Sequence, residues 1–248
     1  MNETIELLLN HRSIRKFKDQ PLNDEQISQL VEAAQMASTS SFVQAYTIIG
    51  VKDPEKKKKL AEIAGNQQYV AENGHFFVFC ADFHRHQAAG ELEGIDVSEA
   101  IESTEKLVVG ITDASLAAQN CAVAAESMGL GICYIGGLRN DIQATADLLN
   151  LPEHVFPVFG MCVGYPDAEP SIKPRLPKAG VYFEDSYPSE EKHFVELENY
   201  NDTTAAYYES RTEGKRKDRW TAQVSGMLSS IKRAHMKDFL HRKGFGRK

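Results

Sequence analysis

His11, Arg12, Arg15, Lys16 and Lys18 crowd five positive or protonatable side chains into the eight positions of "HRSIRKFK". Ser13 stands between Arg12 and Arg15, so imidazole, hydroxyl and guanidinium groups alternate over five residues. Short neutral donors mixed with permanent charge are the chemistry that binds a phosphate. Ile14 and Phe17 interleave with them, which predicts a segment packed on the body of the protein, with Lys16 and Lys18 left on a solvated face. A second basic pair, Lys173 and Arg175 in "KPR", points to one side of an extended chain stiffened by Pro174. Taken alone such a pair is more often a surface turn than a site.

Neutral donors recur elsewhere. In "YIGGLRN", Gly136 and Gly137 follow a strand pattern and precede a helix, so their backbone N–H groups can approach a ligand closely. The order excludes a dinucleotide fingerprint, because Gly129-x-Gly131 precedes the strand and Tyr134 stands where a third glycine is required. "STSS", with Ser38, Thr39 and Ser41, ends a helix in hydroxyls, and Gln67 in "GNQQY" offers an amide to a ring carbonyl. "RTEGKRKDRW" holds Arg211, Lys215 and Arg216 in an interhelical loop, either a solvated linker or a dock for a second anionic ligand. His84 and His86 are two apart, a poor spacing for a shared metal, and no metal site is predicted. Nucleophile-elbow, zincin and P-loop patterns do not occur.

Positioning these groups takes a mixed fold. A short helix near 3–10 precedes the basic stretch, and Asn23 with Gln26 opens a second helix carrying Ile27, Leu30, Val31 and Ala34. Strands are predicted at 45–52, 75–82, 131–137 and 155–165, with a helix near 140–150 and another begun by Asp53 and Pro54. One long helix is expected over 97–128, ending at Gly129 and small-sided around "ASLAAQNCAVAAES". The Pro-punctuated "YPDAEPSIKPRLPKAG" reads as an ordered arm, and residues from about 189 onward turn helical and polar. The expected architecture is α+β, a mainly antiparallel sheet of four to five strands flanked by helices, with a core over 1–185 and a helical excursion over 186–248.

Composition narrows the function. The chain has 248 residues and a formal net charge of -7, so polyanions are not attracted to the surface as a whole and any anion site is local. Nucleic acid is therefore not the expected partner. Cys80, Cys121, Cys133 and Cys162 lie in apolar settings without a C-x-x-C, as buried reduced thiols of a cytoplasmic protein. The apolar window 107–125 is interrupted by Asp113, Gln119 and Asn120, and no membrane span is expected.

In order and spacing, "HRSIRKF", "STSSFVQA", "AGNQQYV", "AAESMGLGICYIGGLRN", "PVFGMCVGYP" and "KPRLP" resemble the nitroreductase family, within it the oxygen-insensitive NADPH nitroreductases and NADPH flavin reductases. The likeness runs through the whole chain, including "YYESR" and the terminal "KGF". It implies a homodimer with FMN at the subunit interface. It places the residues matching His11, Ser13, Lys173 and Arg175 on the FMN phosphate and ribityl end, with Arg12 beside them. Arg15 would lie near the N1–C2=O edge, where a cation favours hydride acceptance. Gly136 and Gly137 would approach N5, with Tyr134 and Ile135 on one ring face and Gln67 at the pyrimidine end. Ser38, Thr39 and Ser41 would reach FMN from the partner subunit, Thr39 standing where a serine is often found. The tail loop, with Arg211, Lys215 and Arg216, resembles the reader of the NADPH 2'-phosphate, and the excursion the element that wraps the partner.

The implied chemistry is ping-pong: NADPH gives hydride to FMN and leaves, then a nitroaromatic, quinone or free flavin takes its place. Such chemistry needs no general acid or base among the side chains. The alternatives are a reductase of another small oxidant (chromate, an azo dye or a disulfide) and a flavin-binding storage or sensor protein.

Overall fold

The computed structural model describes residues 2–248. Its first unit, Met1–Pro170 with Arg233–Lys248, is built on a sheet whose central strand is buried along its whole length. From the N-terminus, α1 (Glu3–Leu9) and α2 (Asp24–Gln35) lead to β1 (Tyr46–Val51) and α3 (Pro54–Ile63). Asn23 and Gln26 form the reciprocal cap expected at the start of α2, and Asp53 caps α3 just before Pro54. β2 (His75–Asp82) follows, then α4 (His84–Glu93), α5 (Ser98–Ile101) and α6 (Thr104–Ser127). β3 (Gly131–Ile135), α7 (Ile142–Leu148) and β4 (Val155–Gly164) complete the layer. Among the described residues the sheet has four strands in the order β1-β2-β4-β3, every neighbouring pair antiparallel.

"HFFVFCAD" has no polar alternation because both of its faces are covered. Phe77, Phe79 and Ala81 join a core against α2 and α6, whereas Phe76, Val78 and Cys80 join a second core beneath α3 and the turn after β3. Phe76, Phe77 and Phe79 are each at most 1% exposed, and burying one such side chain contributes about 2–3 kcal/mol. All four cysteines are buried and free.

The long helix expected over 97–128 is divided. Ser103 takes an extended conformation, accepts the Lys106 N–H and so begins α6 afresh after the single turn of α5. By length and composition alone α6 would be apolar enough to cross a membrane, a test that buried core helices also pass. In the fold it packs on the sheet and buries Val109, Ala114, Ala118, Cys121 and Asp113. α4 carries no apolar stripe; its start is held by Asp82, which accepts the His84 N–H at 2.9 Å, and its end by Gly94 in the left-handed region.

The second unit is Ser171–Lys232. It contains α8 (Glu190–Arg211) and α9 (Trp220–Leu228), and Asn201 on α8 accepts both the backbone and the hydroxyl of Thr221. The boundary expected at 185/186 thus falls inside this unit. The final helix, α10 (Met236–Arg242), belongs to the first unit, where Phe239 and Phe245 are buried.

Candidate functional site

Residues 11–15 run alongside β3: Ser13 bridges Ile132 in parallel, and the Ile14 N–H donates to the Ile132 carbonyl at 2.8 Å. In an extended segment the side chains must alternate. Ile14 turns inward onto Gly131, where a Cβ would come within 2.5 Å of it. Ser13 and Arg15 face the other way, toward Cys133. Burial raises the Cys133 thiol above its usual range, and the Arg15 charge and Ser13 hydroxyl oppose that rise. Arg15 also reaches Tyr69, whose hydroxyl is raised mainly by burial and drawn down by the guanidinium. The Tyr69 hydroxyl donates to Gln67 Oε1 at 2.8 Å. Ser13, Arg15, Tyr69 and Gln67 therefore form one polar group along the β3 edge.

The predicted glycines lie beside it. A Cβ on Gly137 would meet the Ala64 carbonyl at 2.7 Å and its Cα at 2.9 Å, so the turn after β3 rests on the C-terminal end of α3, next to the loop that carries Gln67. Asn140 ties the two together by donating to the Ile63 carbonyl at 3.1 Å, and Arg233 donates twice to Asn140. Tyr134 and Ile135 do not share a face. Tyr134 meets Phe159 edge-on and donates to Gln119, while Ile135 is buried in the opposite core. Neighbours in a strand cannot do otherwise.

The basic stretch itself divides. His11 Nδ1 is 2.6 Å from a Glu126 carboxylate oxygen, and Arg12 donates to Glu169 at 2.9 Å. Arg12, Glu126 and Glu169 line a cavity of about 500 Å³ on the Ile14 side of the segment, where the guanidinium already has a carboxylate partner. Lys16 pairs with Asp167 on the surface. A larger cavity, about 790 Å³, lies between Lys18, Lys57 and His75 and contains none of the predicted site residues.

Ser38, Thr39 and Ser41 occupy the loop between α2 and β1, and among the described residues no hydrogen bond joins them to the Arg15 group. Lys173 and Arg175 belong to the second unit. There the Lys173 ammonium lies 5.8 Å from the centre of the Tyr208 ring, and Arg175 donates to the Lys173 carbonyl at 2.5 Å. Arg216 packs over the same ring at 4.8 Å and pairs with Asp218. Arg211 donates to the Tyr207 hydroxyl at 3.2 Å, and Lys215 is exposed in the loop. The two basic clusters of this unit, far apart in sequence, thus meet at Tyr208. Sequence reasoning missed Tyr69 and Glu126. The signal for Tyr69 was its place two residues after Gln67; for Glu126 there was none short of the fold.

Known proteins are similar to this chain in sequence and fold. The nitroreductase family model matches residues 8–165, and the model of the nitroreductase family C-terminal domain matches residues 173–248. An FMN reductase (NADPH) of Bacillus subtilis strain 168 is 52% identical over 248 residues, the full length of both chains. A Cr(VI) reductase of Pseudomonas sp. strain G-1 is 50% identical over 240 residues, 97% of this chain and 98% of that one. The solved structure of NfrA1 from B. megaterium has 57% identity and a TM-score of 0.98, covering 99% of this chain and 100% of its own. The chain belongs to the nitroreductase family.

Proposed function

We propose that this protein is an NADPH-dependent oxidoreductase that holds FMN and reduces small oxidants, namely nitroaromatics, quinones or free flavins, in two half-reactions. The observation that carries this reading is the polar group at the β3 edge: one guanidinium, two hydroxyls and an amide, placed beside a glycine turn by the same segment that matches the family. That donor set fits FMN, which has a polar pyrimidine ring and an anionic phosphate.

Bound FMN supplies a two-electron carrier that accepts hydride from NADPH and passes electrons to the oxidant. The chain's own residues bind and polarise. Arg15 keeps a permanent positive charge at the β3 edge, where it stabilises negative charge on an adjacent ring. Because the Tyr69 hydroxyl donates to Gln67 Oε1, the amide is oriented with its N–H groups available to a ring carbonyl. Gly136 and Gly137 let the backbone come close to the ring. His11 and Ser13 serve the phosphate and ribityl end, to which the family resemblance also assigns Lys173 and Arg175; Arg12, held by Glu169 on the Ile14 side, stays beside them, and Tyr134 and Ile135 contribute through the β3 backbone. Arg211, Lys215 and Arg216 read the 2'-phosphate of NADPH.

The working form is a cytoplasmic homodimer whose FMN sites are completed by Ser38, Thr39 and Ser41 of the partner subunit. Support comes from exposed apolar side chains of the first unit: Met36 and Phe42 are 81% and 82% exposed, and Val108, Ile111 and Leu116 of α6 are exposed as well. Because Arg233–Lys248 pack with the first unit, the role of wrapping the partner falls to Ser171–Lys232. Chromate is a second acceptor class, favoured by the 50% identity to a Cr(VI) reductase.

The purified protein is expected to be yellow, with absorbance near ~450 nm that bleaches on adding NADPH and returns on adding a quinone or nitroaromatic. Colourless protein that cannot be reconstituted with FMN would sink the reading. Bleaching without turnover on any acceptor would favour storage or sensing.

A further inference from the structure

Asp113 lies in the middle of α6 and is 0% exposed, a costly place for a carboxylate unless every oxygen is used. Both are. Oδ1 accepts the Ser40 N–H at 3.0 Å and Oδ2 accepts the Ala45 N–H at 2.9 Å, so one side chain clamps the two ends of the loop between α2 and β1. Gly110, one turn earlier on the same face, brings the helix close enough: a Cβ there would come within 2.9 Å of Ala81. The clamped loop is strained. Ser41, Phe42 and Gln44 have φ of 48°, 59° and 56°, three non-glycine residues in the left-handed region, each costing about 1 kcal/mol or more. A third tie comes from His86, whose Nε2 is 2.6 Å from the Val43 carbonyl. Strain of this kind persists only where surrounding contacts over-determine it, and here the contacts are Asp113 and His86.

We propose that Asp113 is a positioning residue for FMN binding: its carboxylate holds residues 39–44 in the strained conformation that presents Thr39 and Ser41 to the flavin of the partner subunit. The inference rests on the reading of that loop as a flavin contact. A carboxylate is required because both groups facing it are donors; an amide can satisfy one of them and must turn its own N–H groups toward the other. This explains why a charge sits at the centre of an otherwise apolar, small-sided helix.

Asp113→Asn is isosteric and tests the clamp. The expected result is an FMN dissociation constant for the apo-protein raised about ten-fold, the scale of one lost charge-assisted hydrogen bond. Faster hydrogen exchange is expected at Ser40 and Ala45, with the α6 amides unaffected, and kcat should recover at saturating FMN. A merely structural defect would not be repaired by saturation. Adding Gln44→Gly, which removes one strained φ, should restore part of the affinity in the Asn background. Native affinity and native exchange in Asp113→Asn would overturn the proposal. Thr39→Val with Ser41→Ala separates the two levels: if that pair weakens FMN and Asp113→Asn does not, the clamp fails and the loop reading stands. If neither changes FMN affinity, the loop reading fails and takes the clamp with it. Should Asp113→Asn not fold, the unmodified protein decides: Ser40 and Ala45 amides exchanging as fast as exposed loops would overturn the clamp, and slow exchange supports it.

Discussion

His75 shows how far burial alone moves a side chain's chemistry. At the start of the central strand it is 4% exposed, tilted against the Phe77 ring with centroids 4.4 Å apart, and pressed on Gly50, where a Cβ would come within 2.8 Å of its Nε2. Desolvation, assisted by the charges of Lys52 and Lys57 and opposed by Asp24, draws the imidazole down from 6.5 to about 4. The unfolded chain therefore binds a proton near 6.5 that the folded protein refuses until about 4. With more protons on the unfolded side, stability falls as pH drops through that window, by roughly 3 kcal/mol if the full shift is expressed. Urea midpoints measured from pH 7 to pH 4.5 should decline in the native protein and decline less in His75→Gln. An identical slope in both would show that His75 is not the group responsible. Arg15 stands at the opposite extreme, permanently charged, which is what a site that must stabilise negative charge at any physiological pH requires.

At the scale of elements, the turn after β3 depends on one missing methyl group. Gly137 touches the backbone of Ala64, and backbone cannot swing aside as a flexible side chain does. Gly137→Ala is expected to cost about 1–3 kcal/mol, seen as a fall in Tm of roughly 2–10 °C, together with weaker FMN retention because the Gln67 loop shares that contact. Unchanged Tm and flavin content would show that α3 moves away freely. The same elements explain what the sequence made legible. Caps at Asn23 and Asp53 and the unbroken "HFFVFCAD" are local, and local chemistry decided them. The break at Ser103 and the helix α4 were hidden because a cap can override a continuous helical pattern and Asp82 can start a helix that has no apolar stripe. The division of "HRSIRK" into two sides was hidden too, since it follows from pairing with β3, more than a hundred residues away. The Asp113 clamp left a trace as a lone acid in an apolar window, but its partners were not readable.

For the whole molecule, the division into two units separates tasks. The first unit carries the sheet and the Arg15 group, and the second carries a basic loop whose Arg216 leans on Tyr208 and is paired with Asp218. A loop that reads the 2'-phosphate should matter for NADPH and not for NADH. Arg216→Ala or Lys215→Ala is expected to raise the KM for NADPH about ten-fold with little change for NADH, as loss of a charge-assisted contact would. Equal effects on both nucleotides in steady-state assays would remove the 2'-phosphate role.

The return of Arg233–Lys248 to the first unit has a further consequence. Phe245 is fully buried against Phe83 and Phe156, and the Lys248 carbonyl accepts the Thr104 N–H at the start of α6. A ribosome makes these partners in reverse order of need. While residues 104–170 are emerging, the aromatic that closes their core does not yet exist, and the interval is filled by the second unit. The contacts of Phe83 and Phe156 with Phe245 can therefore form only after the second unit has been synthesised, and this part of the core stays open to solvent through that interval, a stage exposed to aggregation.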